Sequence, residues 1–517
     1  MVKKGKKRFL YLGVTAMMAL FTTACGNNAG SATGGADQNR LVIAQNNDAV
    51  TLDLHAGNDS NSSLVNRQIF DTLVTQTPDM ELEPGLATDW RQIDDLTWEF
   101  DLKEGVTFHN GEPFTAHDVY FTLQRALKSP AIYVIVGQID PNGIIVIDDH
   151  TIQIATVEPF VPILSHLAHT ASGIMSEATV TEMEATGVNV AQNPVGTGPF
   201  EFVRWSNGDF VELRRFEDYH GDLPQFEELV IRAITEGPNR AIELETGAVD
   251  IALNLAAPDR LRIDADEDLE LMAVKNLTTT HIGFNLNKEP FDNVLVRQAI
   301  NYAVNVQSIV DNVQDGIGAP SRGPIGANVW GAVSDHPIYE FNLERARELM
   351  VEAGFENGFD AEMWTSNAPA TVDLVTAIAA QLREIGINLN IQQFEWGAYI
   401  DALAEGGHEM FIMGWGSVTG DADYGLFPLF HSSVGPSGGN RTFFNDSRID
   451  ALLEEGRATS DVEERLAIYA EIQEIIVEEA PWLFLLTGEV SAGVQNNVRG
   501  FELFPNNNHV FSGVYFE

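Results

Sequence analysis

Cysteine is almost absent. Cys25 is the only one in 517 residues, so no disulfide within the chain contributes to its stability. Lysine is scarce as well: beyond residue 7 only Lys103, Lys128, Lys275 and Lys288 occur. The chain carries 75 Asp and Glu against 30 Lys and Arg, a net charge of −45. Such a surface repels polyanions, which excludes nucleic acid as a partner and disfavours anionic lipid headgroups. Long apolar runs are missing too, because the charge-free stretch 9–21 falls short of the roughly 20 residues that span a bilayer. No loop ends in Gly-Lys-Ser/Thr, no His-Glu-x-x-His pair occurs and there is no cysteine cluster, which removes the common phosphate-cradle and zinc signatures.

What is present begins with an export signal. Lys3, Lys4, Lys6, Lys7 and Arg8 precede the apolar stretch, in the order a secretory signal requires. Thr22-Thr23-Ala24-Cys25-Gly26 resembles a bacterial lipobox, with Thr22 where such boxes usually carry leucine. The expectation is a signal peptide over 1–24, lipidation at Cys25 and a small, polar, flexible tether over 25–40. The body then stands on the outer face of the cytoplasmic membrane, extracellular or periplasmic according to the envelope. Loss of the five basic residues leaves 25 against 75 acidic ones, a net charge of −50. Self-repulsion on that scale predicts a protein stabilised by salt and suited to a saline or alkaline medium.

The mature length suits two or three packed domains. Residues 41–44 and 97–102 read as strands, 118–127 as a helix, and 144–146 with 151–155 as a hairpin. Helices are predicted over 240–246, 343–353 and 371–385, stopped by Gly247, Gly354 and Gly386. Strands follow over 249–253 and 387–393. Ser460 with Glu463 fits a capping box for a helix over 461–479, which Pro481 ends before an apolar strand at 482–486. Alternating helices and strands imply an α/β fold with helix-covered sheets.

A catalytic constellation is hard to find. Gly435-Pro436-Ser437-Gly438-Gly439 has the letters of a hydrolase nucleophile elbow, but not the strand before it or the helix after it. Gly196-Thr197-Gly198-Pro199 lacks the third glycine of a dinucleotide fingerprint. The 12 histidines are scattered, His109, His117 and His431 among them, without metal-ligand spacing. The residues point to a binder with no cofactor and no metal, and a secreted hydrolase using Ser437 is the rival from another class.

Three blocks carry a stronger signal: Pro84-Gly85-Leu86-Ala87-Thr88-Asp89-Trp90; Trp98 to Gly111, which reads WEFDLKEGVTFHNG; and Phe114-Thr115-Ala116-His117-Asp118-Val119. Ile69-Phe70-Asp71-Thr72-Leu73-Val74 precedes them. Asn193-Pro194-Val195-Gly196-Thr197-Gly198-Pro199-Phe200, Val296-Arg297-Gln298-Ala299-Ile300 and Gly414-Trp415 follow. In this order they resemble the peptide/nickel class of substrate-binding proteins of ABC transporters, family 5. Read for physical role, Trp90, Trp98 and Phe108 are core aromatics, Gly105 and Gly111 are turn glycines, and Asp118 caps the helix it opens.

The resemblance implies a two-lobed periplasmic-binding-protein type II fold with an extra domain inserted in the first lobe. On that pattern lobe I comprises 41–70, 193–280 and 490–517, the insertion 71–192 and lobe II 281–489. A monomer is expected, handing its solute to a permease driven by ATPase subunits. In dipeptide-binding members an aspartate three residues after the tryptophan matching Trp415 holds the peptide ammonium; here that place is Val418. Their arginine for the peptide carboxylate aligns near Trp364-Thr365-Ser366, where this chain has no cation, and between Arg347 and Arg441 the only basic residue is Arg383. Met363 to Asn367 and Thr419 to Tyr424 look closer to the glutathione-binding branch. Expected ligand contacts are Asn58, Ser60 and Asn61 on a first-lobe loop, Trp415 as a stacking wall, Asp421 or Asp423 for an ammonium, and Arg441 for a carboxylate. For the two aspartates, bracing of their own loop is an equal alternative, and for Arg441 a structural ion pair. The expected solute is a small peptide or peptide-like molecule, glutathione or an oligopeptide. A metal chelate, haem or an oligosaccharide on the same scaffold is the alternative.

Overall fold

The computed structural model describes residues 38–57, 59–333 and 339–517. The signal segment 1–24, Cys25, the tether to residue 37 and Asn58 lie outside them. Among the described residues no helix is long and apolar enough to cross a membrane.

One eleven-stranded mixed sheet runs through the body. At one end Arg40–Gln45 lies parallel to Glu228–Ala233 and to Ile251–Leu253, with Phe210–Arg215 and Phe200–Ser206 added antiparallel. At the other end Phe359–Ser366 lies parallel to Ile387–Phe394 and Met410–Gly416. The helix Pro369–Leu382 supplies the crossover between the first two of these strands. Two long antiparallel strands, Leu269–Phe284 and Trp482–Gln495, join the two ends. Their ladder breaks between Lys275 and Thr279. Beside the break, a Cβ on Gly488 would sit 2.7 Å from the Asn276 amide, so glycine admits that side chain. The separate cores of the two ends mark them as the two lobes.

Leu41, Ile43, Phe200, Phe226, Leu229 and Phe511 fill the first-lobe core. Phe284, Phe291, Ile300, Leu349 and Ile378 fill one second-lobe core, and Leu426, Phe430, Tyr469 and Trp482 a second. A four-stranded antiparallel sheet in the order Ala87–Gln92, Thr97–Leu102, Thr151–Thr156, Ile139–Asp148 builds the additional domain around Phe100, Phe108, Phe114 and Ile154. Each such side chain removed from water contributes about 1.5–3 kcal/mol.

The predicted hairpin, the three glycine-stopped helices and the strands after them are present. Two caps differ from expectation. Thr115, not Asp118, is the N-cap of Ala116–Ala126; Asp118 stands three residues in and accepts the Thr115 N–H at 2.9 Å. Asp461, not Ser460, caps Val462–Glu479, its carboxylate accepting the Glu464 N–H at 3.0 Å, because a charged acceptor meets the helix dipole better than a hydroxyl. Trp98 and Phe108 are buried, whereas Trp90 is half-buried and lines a cavity.

The Gly196-Thr197-Gly198 segment closes on the first helix, Ser60–Ile69. A Cβ on Gly196 would lie 2.0 Å from the Ile69 carbonyl oxygen and one on Gly198 2.7 Å from it. His109 brackets the same segment: its Nδ1 accepts the Gly196 N–H at 3.3 Å and its Nε2–H donates to the Gly198 carbonyl at 2.9 Å. That motif and that histidine serve packing.

Candidate functional site

Two cavities bear on solute binding. The smaller, about 10 Å³, is lined from both lobes and the additional domain: Arg67, Asn506 and Asn508 from the first lobe, Gln76 and His169 from the additional domain, and Val418 from the second lobe. That is room for about one water molecule. The cleft is shut around it. Gln76 Nε2 donates to the Thr419 carbonyl at 2.7 Å, and a Cβ on Gly420 would come within 2.6 Å of Met80. The larger cavity, about 440 Å³, lies at the carboxyl ends of the parallel second-lobe strands against Thr278, Thr280, Ser366, Trp396, Gly414 and Gly416. No atom comes closer than 3.7 Å to where a Gly414 Cβ would stand, so the missing side chain leaves usable space. A crevice at strand carboxyl ends is where open α/β sheets bind ligands.

Arg67 comes from the last turn of Ser60–Ile69, a helix capped by Asp59, whose carboxylate accepts the Ser62 N–H at 2.9 Å. Its guanidinium donates to Thr75 Oγ1 and lines the small cavity on one side and a second cavity of about 190 Å³ on the other. Burial pulls its pKa down, with Asp71 and Tyr219 opposing. Asp71 is already engaged, accepting from Thr197 at 3.0 Å and from His220 Nε2–H at 2.9 Å, while Lys103 donates to His220 Nδ1 at 3.2 Å. His169 Nδ1 accepts the Ala171 N–H at 3.1 Å, which leaves the ring proton on Nε2. Burial lowers the His169 pKa to about 4, so the ring is neutral at pH 7. Asn508 is 9% exposed, and its Oδ1 has no partner among the described residues.

The residues anticipated for ligand contact are distributed differently. Asp421 lines a cavity of about 570 Å³ between the additional domain and the second lobe, but both its oxygens are occupied: Arg465 clamps it at 2.7 and 2.8 Å, and Oδ1 also accepts the Asp423 N–H at 2.9 Å. Asp423 is clamped by Arg457 at 2.7 and 3.1 Å, and Arg457 stacks over the Phe427 ring. Both carboxylates are held in buried ion pairs, and of the two only Asp421, among the described residues, also accepts a backbone N–H of its own loop. The Trp415 indole donates to the Tyr424 carbonyl at 2.9 Å and its ring lies against Tyr424. It lines neither cavity, although Gly414 and Gly416 on either side of it line the larger one. Arg441 is 9% exposed, among Tyr399, His281 and His408, and its Nε has no partner among the described residues; it borders none of these cavities. Ser60 and Asn61 open the first helix two turns before Arg67 and line neither cavity. Ser437 is an exposed turn residue. Sequence reasoning missed Arg67, His169 and Asn508. The signal available was a cation on the first helix of a chain poor in cations.

Two lobes joined by paired strands, with a closed cavity where both lobes and an additional domain meet, define a solute-binding protein. The chain belongs to the bacterial extracellular solute-binding proteins, family 5, whose middle-region model matches residues 81–437. It is 31% identical to the glutathione-binding protein GsiB of Salmonella typhi over 486 residues, covering 91% of this chain and 93% of the relative. Among solved structures it is similar to HbpA2 from Haemophilus parasuis, with 28% identity, a TM-score of 0.88 and coverage of 93% and 100% of the two chains. It is also similar to the ABC transporter-associated periplasmic binding protein DppA from Helicobacter pylori in complex with the peptide STSA, with 29% identity, a TM-score of 0.74 and coverage of 92% and 98%.

Proposed function

We propose that this protein captures a small peptide or peptide-like solute, glutathione or a short oligopeptide, between two closing lobes and delivers it to the permease of an ABC importer. It performs no chemistry of its own. Lobe I (41–70, 193–280 and 490–517) and lobe II (281–489) move about the paired long strands, with 71–192 travelling as the inserted domain, and a lipid on Cys25 keeps the monomer near its permease. The observation that carries this reading is the small recess lined from both lobes and the additional domain, since a solute whose end reaches that junction touches all three and favours the closed arrangement over the open one. The glutathione- and peptide-binding relatives support the solute class.

A thermal-shift panel of glutathione, di- to hexapeptides, nickel chelates and oligosaccharides tests it. A bound ligand at 100 times its dissociation constant adds about 2.7 kcal/mol of stability. A shift with glutathione or peptides is expected; a shift with sugars or chelates and none with any peptide contradicts the reading.

A further inference from the structure

We propose that Arg67 receives the C-terminal carboxylate of the bound peptide, so that the carboxylate is held from the first lobe. This rests on the peptide-binding function proposed above and names the end of the solute that the innermost recess recognises. A guanidinium in a closed recess needs an anion or water on its free N–H groups. Among the described residues the hydrogen-bond partner of Arg67 is the neutral Thr75 hydroxyl, and no carboxylate lies within ion-pair distance of it. Asp71, the acid whose charge acts on Arg67, is hydrogen-bonded by Thr197 and His220. The second lobe offers only Val418 at this point, so it supplies no competing charge.

The rest of the recess matches the same chemical group. His169 turns its Nε2–H, which has no partner among the described residues, toward a second carboxylate oxygen, while the unpaired Asn508 Oδ1 is an acceptor for the last amide N–H of the solute. A planar guanidinium, a neutral N–H donor and a lone carbonyl acceptor together complement a carboxylate with an amide N–H two bonds away, the pattern of a free peptide C-terminus. Glutathione and ordinary peptides both carry it. The recess has room for about one water in this shut arrangement, so the lobes part to admit the carboxylate and settle again on the remainder of the solute.

Titration calorimetry with glutathione, trialanine and the C-terminal amide of each, on the wild type and on Arg67→Gln, tests this. Amidation is expected to weaken binding to the wild type by roughly tenfold or more and to Arg67→Gln by less than about threefold, because the charge-assisted contact is already gone. Equal binding of free and amidated forms by the wild type, or the same amide penalty in Arg67→Gln, overturns the assignment and leaves the peptide-binding function standing. Absence of binding by either form of either peptide to the wild type overturns both. Should Arg67→Gln melt before binding is read, Arg67→Lys decides. A smaller but measurable amide penalty supports the assignment, since a point charge replaces a planar fork, and an unchanged penalty with unchanged affinity contradicts it.

Discussion

Arg457 and Arg465 decide what Asp421 and Asp423 do. Arg457 stands 34 residues beyond Asp423 and Arg465 stands 44 beyond Asp421, out of reach of any local charge rule, and the helix packing that brings them to the loop is tertiary. The sequence therefore presents two acids in a cleft loop, and the fold makes them half of two buried ion pairs. Asp421→Ala is expected to destabilise by about 3–5 kcal/mol, because Arg465 stays buried without its partner; denaturant unfolding reads the loss. Asp250 is the opposite case. Burial raises its pKa to about 6 although it accepts the Val42 N–H at 2.8 Å. Folding favours its protonated form, so that contribution to stability is present below about pH 4 and is lost as pH rises through about 6. Asp250→Asn keeps an oxygen for Val42 without the charge, and is expected to stabilise by about 1–3 kcal/mol at pH 7.5 and by nothing near pH 4. Melting at both pH values checks this, and no gain at pH 7.5 contradicts it.

Elements with a local cause were legible: glycine stops, apolar alternation and the hairpin turn all act over a few residues. Where two good capping residues adjoin, as at Ser460 and Asp461, local pattern does not choose between them and the carboxylate prevails. The sixteen residues of Leu269–Phe284 were not read as one strand, because their alternation fails around the ladder break and each half packs on a different lobe. The Gly196 motif shows how a recognisable string follows from an element contact. Gly196→Ala is expected to cost at least about 3 kcal/mol, since its Cβ would meet backbone rather than a movable side chain. A melting temperature unchanged from the wild type would show that the first helix shifts freely.

At the scale of the whole molecule, the ordered set of motifs was enough to give the two-lobed α/β fold class, while the stretch that carries Met175, Val180 and Val190 packs in the first-lobe core although it lies inside the insertion expected over 71–192. The proposed solute seat was not legible, because Arg67 and Asn508, which line one recess with His169, stand 441 positions apart in the chain. The acidic surface acts at this scale as well. With 75 acidic against 30 basic residues, melting is expected to rise as sodium chloride screens self-repulsion; a flat response contradicts adaptation to salt. Solute capture between closing lobes is tested most directly by calorimetric titration of glutathione or a short peptide at several temperatures. The account predicts one saturable site per chain and a negative heat-capacity change as the cleft surfaces are buried together. No binding of any peptide, or binding without a heat-capacity change, would contradict it.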